Sequence, residues 1–178
     1  LRQYPDQLKV GLERITDSTI RFVRAAKDMG IAGVFYAIQH ANYSLLSVDE
    51  YKEFGRPYDL KILEEVGTGT WFNLLHLHGL SPMFDLVADY PVQAINWHDR
   101  ETAPSLKEGL AKTRAAVCGG IDRNRMMLQG TPDDIRASVA DAVAQTGGRR
   151  LIIATGCATI ISSPTANIRA AREAVTAF

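Results

Sequence analysis

Short apolar runs alternate with longer stretches of helical periodicity about five times along this chain. From about Asp6 to Met29 the residues Leu8, Val10, Leu12, Ile15, Ile20, Phe22 and Val23 recur among charges at helical spacing, and Gly30 supplies a stop. The pattern predicts one helix, or one helix broken once. Ile31 to Ile38 is apolar and rich in β-branched and aromatic residues, the composition of a buried strand, and it ends in the polar loop 39–44. Ser47-Val48-Asp49-Glu50 fits a capping box and opens a helix expected to run towards Val66. Thr70 to His78 reads as the second strand, Ser81-Pro82 as the opening of a short helix with proline at its first position, and Gln93 to His98 as the third strand. Pro104 to Arg114 predicts helix, Ala115 to Cys118 a short strand before Gly119-Gly120, and Thr131-Pro132-Asp133-Asp134 another helix start. Arg150 to Thr155 is the last strand, and Ser163-Pro164 caps a final helix. No low-complexity tract or linker divides the chain, so a single domain over 1–178 is expected.

Apolar strands alternating with helices imply an α/β fold, a parallel sheet covered by helices. Polar residues gather just past the strand C-termini, at Gln39-His40, His76-Leu77-His78, His98-Asp99-Arg100, Asp122-Arg123 and Cys157. That rim is where α/β barrels and open α/β sheets carry their active sites. Five strands do not close an eight-stranded barrel, and an uncovered apolar edge is an aggregation liability. The expectation is therefore that roughly three βα units lie upstream of Leu1, or that a partner chain in a homo-oligomer supplies them.

Composition narrows the partners further. Lys plus Arg and Asp plus Glu both number 20 and the pI is near 7.1, which removes the electrostatic footprint of a nucleic-acid or anionic-membrane binder. No apolar run is long enough for a membrane span, and none resembles a signal peptide. The two cysteines, Cys118 and Cys157, allow at most one disulfide, and a reducing cytoplasmic setting is the expectation.

On a strand, side chains repeat every two residues, so His76 and His78 project to one face, and Cys157 leaves its own strand at the equivalent height. Two imidazoles and a thiolate make a three-ligand zinc set with the fourth tetrahedral position open for a substrate. Each could instead be structural: a histidine at a strand end hydrogen-bonded in place, a cysteine serving as a small buried hydrophobe. Cys118, inside a strand, reads as core, and Trp71 and Trp97 read as packing against helices. His40, past the first strand, is a candidate acid, base or substrate contact. Asp99 and Arg100 are candidates for catalysis and substrate binding, or else pair with each other or cap the helix near Pro104.

Taken in order, Tyr51-Lys52-Glu53-Phe54 with Pro57-Tyr58, His76-Leu77-His78-Gly79, Ile95-Asn96-Trp97, Gly119-Gly120-Ile121-Asp122, Gly130-Thr131-Pro132, Thr155-Gly156-Cys157 and Ser163-Pro164 with Asn167-Ile168-Arg169-Ala170 resemble the uroporphyrinogen decarboxylase superfamily. The resemblance covers the C-terminal half or more of such proteins. It implies a (β/α)8 TIM barrel of which this chain holds about five C-terminal βα units. The superfamily includes the decarboxylase itself and zinc methyltransferases that move methyl groups between corrinoid proteins and thiols such as coenzyme M.

The methyltransferase branch has His-x-Cys after the second of these strands and Gly-Cys after the last. Here the resemblance maps those positions to His76, His78 and Cys157, with His78 standing where the middle Cys would be. The decarboxylase branch has Gly-His-Gly and an Asp-Trp pair, where this chain has Gly156-Cys157-Ala158 and Asn96-Trp97; both departures count against porphyrinogen decarboxylation. Asp122 and Arg123 resemble the family's substrate-facing loop. The implied reading is zinc-dependent methyl transfer from a corrinoid or other methyl donor to a thiol, with His40, Asp99 and Asp122 catalytic and Asn96, Arg100 and Arg123 binding the substrate. A corrinoid protein is the implied partner. The alternatives are a uroporphyrinogen decarboxylase acting on a tetrapyrrole, and a non-catalytic half-barrel that binds another subunit.

Overall fold

A computed structural model describes all 178 residues. Helix α1 (Pro5–Asp28) leads into β1 (Phe35–Ile38), followed by α2 (Val48–Phe54), α3 (Arg56–Gly67), β2 (Leu74–Leu77), β3 (Ala94–Trp97), α4 (Leu106–Lys112), β4 (Ala116–Ile121), α5 (Pro132–Thr146), β5 (Leu151–Thr155) and α6 (Thr165–Ala174). The strands form one parallel sheet in the order β1-β2-β3-β4-β5. A doubly wound sheet reverses direction at a switch point, whereas a barrel adds each strand to the same side of the last. The unbroken order therefore makes this chain an arc of a TIM barrel.

Strand alternation splits the sheet into two faces. Leu75, Leu77, Ile95, Trp97 and Val117 point to the helices and are buried in the main core with Met83, Phe84 and Leu106. Trp97 stands edge-on to Phe84 at 4.7 Å, and its indole N–H donates to the Pro104 carbonyl at 2.8 Å. The opposite face carries the row Ala37, His76, Asn96, Cys118 at matched register. That row, apolar only at Ala37 and Cys118, looks into the barrel interior, so the strands read as apolar carry polar groups on one face.

Several sequence-based boundaries shift. Helix α1 is continuous. The strands are shorter than the apolar runs except β4, which continues through Gly119-Gly120 to Ile121 because both glycines stay in the ladder against Ile153 and Ala154. The helix expected from Ser47 to Val66 stops at Phe54 and restarts at Arg56; Pro57 has no N–H to donate to the Glu53 carbonyl, so the ladder cannot run through. The predicted capping box at Ser47 and Glu50 is present, and a matching one joins Thr131 to Asp134. Pro82 does not open a helix: it bridges to Asn42, and a short 3-10 turn follows at Phe84–Leu86. Past β4 a six-residue π-type turn, Arg123–Leu128, replaces the loop read there. Pro164 precedes α6, but no side chain caps it. Trp97 packs as expected, while Trp71 is 75% exposed.

Candidate metal centre

Four side chains converge at the C-terminal rim of β2, β3 and β5. Because β2 and β3 run in register from Leu74↔Ala94 to Leu77↔Trp97, the residues just beyond them, His78 and His98, come side by side with ring centroids 5.4 Å apart. Cys157 reaches the same place across the end of β4. A Cβ on Gly156 would lie 2.8 Å from the His98 Cα and 2.9 Å from the Trp97 carbonyl oxygen, so only glycine lets the end of β5 come this close. Gly79, with φ +100°, turns the chain directly after His78. One donor atom from each of His76, His78, His98 and Cys157 lies within 4.8 Å of the others.

The hydrogen bonds define which ring nitrogens are free. The Asn96 amide nitrogen donates to the carbonyls of Cys118 (2.8 Å) and Thr155 (3.1 Å), so its Oδ1 is the atom facing His76 Nδ1 at 2.6 Å. His76 therefore carries its proton on Nδ1 and turns the Nε2 lone pair towards Cys157 Sγ, 3.7 Å away. His78 presents Nδ1 to the same sulfur at 3.9 Å. His98 Nδ1 faces the Glu101 carboxylate at 3.1 Å, which leaves Nε2 as a buried polar atom without a partner.

Bond lengths of about 2.0 Å to nitrogen and 2.3 Å to sulfur at a tetrahedral angle place N and S about 3.5 Å apart. The observed 3.7 and 3.9 Å separations fit a zinc-sized ion with little movement. Burial holds His76 and His78 below the ordinary imidazole range; for His76 the hydrogen bond to Asn96 opposes this, and the neighbouring His98 and Arg123 add to it for both. The shift favours the neutral imidazoles, the form that binds a metal. In front of the donors lies a cavity of about 560 Å³, lined by Phe35, Leu74, His76, His78, Asn96 and Cys157 among others.

The other candidates read from the sequence are distributed around this cluster. Arg123 lies close enough to lower both histidines, has no carboxylate partner, and has a buried Nε without a hydrogen bond. Asn96 is engaged in orienting His76. Asp99 turns away from the cavity: both its oxygens accept from the Gly120 N–H, and Arg100 Nε lies 3.4 Å off. Burial pushes the Asp99 carboxyl up to about 6 against those two favourable contacts. Arg100 reaches outward to the Gly120 carbonyl, Asp141 and the Ser138 carbonyl. Asp122 caps the π-type turn by accepting from the Asn124 and Arg125 N–H groups and pairs with the Arg125 side chain at 2.8 Å. His40 is exposed and lies beside a different cavity, on the α1 side of β1. Cys118 is buried in the strand, and burial raises its thiol to about 12.

His98 is the donor that the spacing argument did not group with the others. His76 and His78 share a strand and so announce themselves, but His98 joins them only through the β2/β3 register. Its position just past a strand end was the available signal.

A parallel arc of βα units with a histidine–cysteine cluster at its C-terminal rim defines a TIM-barrel protein with a candidate transition-metal centre. The chain belongs to the uroporphyrinogen decarboxylase (URO-D) family, whose family model matches residues 1–178. It is similar to the methylcobamide:CoM methyltransferase MtbA of Methanosarcina mazei, with 23% identity over 159 residues, 89% of this chain and 45% of the relative. Among solved structures it is similar to a methyltransferase from Methanosarcina mazei, with a TM-score of 0.79 and 24% identity over 92% of this chain and 47% of the other. The chain thus spans less than half the length of either relative. No helix is long and apolar enough to cross a membrane.

Proposed function

We propose that this chain carries the metal-binding rim of a zinc-dependent methyltransferase, which moves a methyl group from a corrinoid or other methyl donor to a small thiol. The observation that carries the reading is the convergence of three imidazoles and one thiol within 4.8 Å at the end of the sheet where barrel enzymes work. Soft sulfur with imidazole nitrogen favours zinc over the hard oxygen-seeking cations. The similarity to methyltransferases supports the same direction.

His76, His78 and Cys157, the set read from the sequence, would hold the ion, with His98 beside them. Zinc there would favour the deprotonated form of a bound thiol at neutral pH, the nucleophile methyl transfer requires. The chain's own groups do the rest. Asn96 fixes the His76 tautomer, as is usual for metal-bound imidazoles. Arg123, a cation with no carboxylate partner, would hold an anionic end of the substrate, and the apolar wall of Phe35 and Leu74 would keep water from the reacting face. Asp99, Arg100 and Asp122 shape the rim from behind; His40 would act only on a substrate part extending past β1.

The test is transfer of the methyl group of methylcobalamin to 2-mercaptoethanesulfonate by zinc-loaded protein. Wild type is expected to methylate the thiol and Cys157→Ala to lose at least about 100-fold in rate, a loss of about 2.7 kcal/mol in transition-state stabilisation. Equal rates in the two proteins, or release of CO2 from a porphyrinogen by metal-free protein, would contradict the reading.

A further inference from the structure

The four donors are not held alike. His76 is 4% exposed and tied through Nδ1 to Asn96. His98 is equally buried, tied through Nδ1 to Glu101, and its Nε2 lies buried with no partner. A buried polar atom left unpaired has lost its hydration without a replacement partner, so it calls for an occupant. An imidazole backed by a carboxylate is also the form in which proteins present histidine to metals. His78 differs on each count. It is half-buried, its Nε2 makes no hydrogen bond within the chain, and no carboxylate or carbonyl stands behind its ring. It also lines the cavity, which His98 does not.

Resting on the zinc reading above, we infer that His76, His98 and Cys157 are the permanent ligands of the metal and that His78 is an exchangeable fourth ligand, the one an incoming thiol replaces. Four protein donors fill a tetrahedron, so a thiol enters only where one gives way. Cys157 brings the only negative charge, and His76 and His98 are braced from behind. His78 alone combines an unbraced ring with direct access from the cavity. On exchange, one metal–nitrogen bond breaks and one metal–sulfur bond forms; the thiol proton leaves to solvent and His78 stays a neutral imidazole. The assignment also changes the set read from the spacing, which made His78 a fixed ligand and left a vacant position.

The experiment uses the purified chain and its His78→Ala, His98→Ala and Glu101→Gln variants, each loaded with cobalt(II) in place of zinc. Affinity is measured by competition with a chromophoric chelator, and the donor set by X-ray absorption, before and after adding 2-mercaptoethanol. Wild type is expected to pass from three nitrogens and one sulfur to two of each. His98→Ala should bind cobalt at least about 100-fold more weakly and Glu101→Gln about 10-fold more weakly, the usual effect of removing an outer-shell partner. His78→Ala should stay within about 10-fold of wild type and reach the same two-nitrogen, two-sulfur set with thiol. Should His98→Ala fail to fold, as circular dichroism would show, the donor sets of wild type and His78→Ala with thiol decide the assignment. Loss of affinity in His78→Ala equal to that in His98→Ala, or three nitrogens persisting with thiol, would overturn the assignment while leaving a metal site in place. Wild-type protein that takes up neither cobalt nor zinc would overturn the metal reading itself.

Discussion

Asn96 links the sheet to the metal centre through one amide: its nitrogen crosses β4 to the Cys118 and Thr155 carbonyls, and its oxygen holds His76. A carboxylate at this position could not donate to those two carbonyls, which is the physical sense of an amide here. Asn96→Ala is expected to release the His76 ring and weaken zinc binding about 10- to 100-fold, measurable by chelator competition. Unchanged affinity would show that the ring needs no such support. Another carboxylate, half-buried, lies on the helix side. Asp59 accepts from Tyr36 (2.8 Å), Tyr51 (2.6 Å) and Tyr90 (3.2 Å), yet burial outweighs these bonds and raises its pKa. Its protonated form is thus favoured by folding. That stabilisation is complete below the ordinary carboxylate value near 4 and is lost as pH rises through the raised folded value. Asp59→Asn keeps an acceptor and has no such titration. The stability difference between wild type and variant, from urea unfolding, should therefore shift against wild type as pH rises above about 4; a difference constant with pH would contradict the account.

Element ends, more than elements, make the site. The β2/β3 register pairs His78 with His98, and the close approach of β5 to β3 at Gly156 delivers Cys157. Gly156→Ala would set a Cβ against the His98 backbone, so it is expected to cost about 1–3 kcal/mol in stability and to weaken zinc binding by moving Cys157. Thermal melting and chelator competition on one variant check both; a stable variant with wild-type affinity would mean that β5 has room. The alternation of elements was legible in the sequence because buried strands and amphipathic helices have different apolar patterns. Their ends were less so: apolar residues such as Ile31 and Phe72 continue outside the hydrogen-bonded ladder. The break at Phe54–Arg56 was marked by Gly55 and Pro57, and the capping box at Ser47 masked it by announcing a long helix. Within the site, His76, His78 and Cys157 were legible from strand period and family resemblance. The inclusion of His98 and the engagement of Asp99 with the Gly120 N–H, away from the cavity, depend on which strands pair and how they twist, which no local pattern records.

At the scale of the whole molecule, sheet order and site agree. Strands added in sequence curve about a common axis, so residues far apart in the chain, from His76 to Cys157, meet at one rim. Asn96 and Cys118, level with His76, point inward, and the helices bury only the outer face. The arc therefore accounts for both the polar inner row and the apolar outer one. The most direct measurement is elemental analysis of the purified protein beside its Cys157→Ala variant. One zinc per chain in wild type, lost in the variant while the fold is retained by circular dichroism, is the expected result. Wild type without zinc after loading, or a variant that keeps it in full, would contradict a metal centre built on these residues.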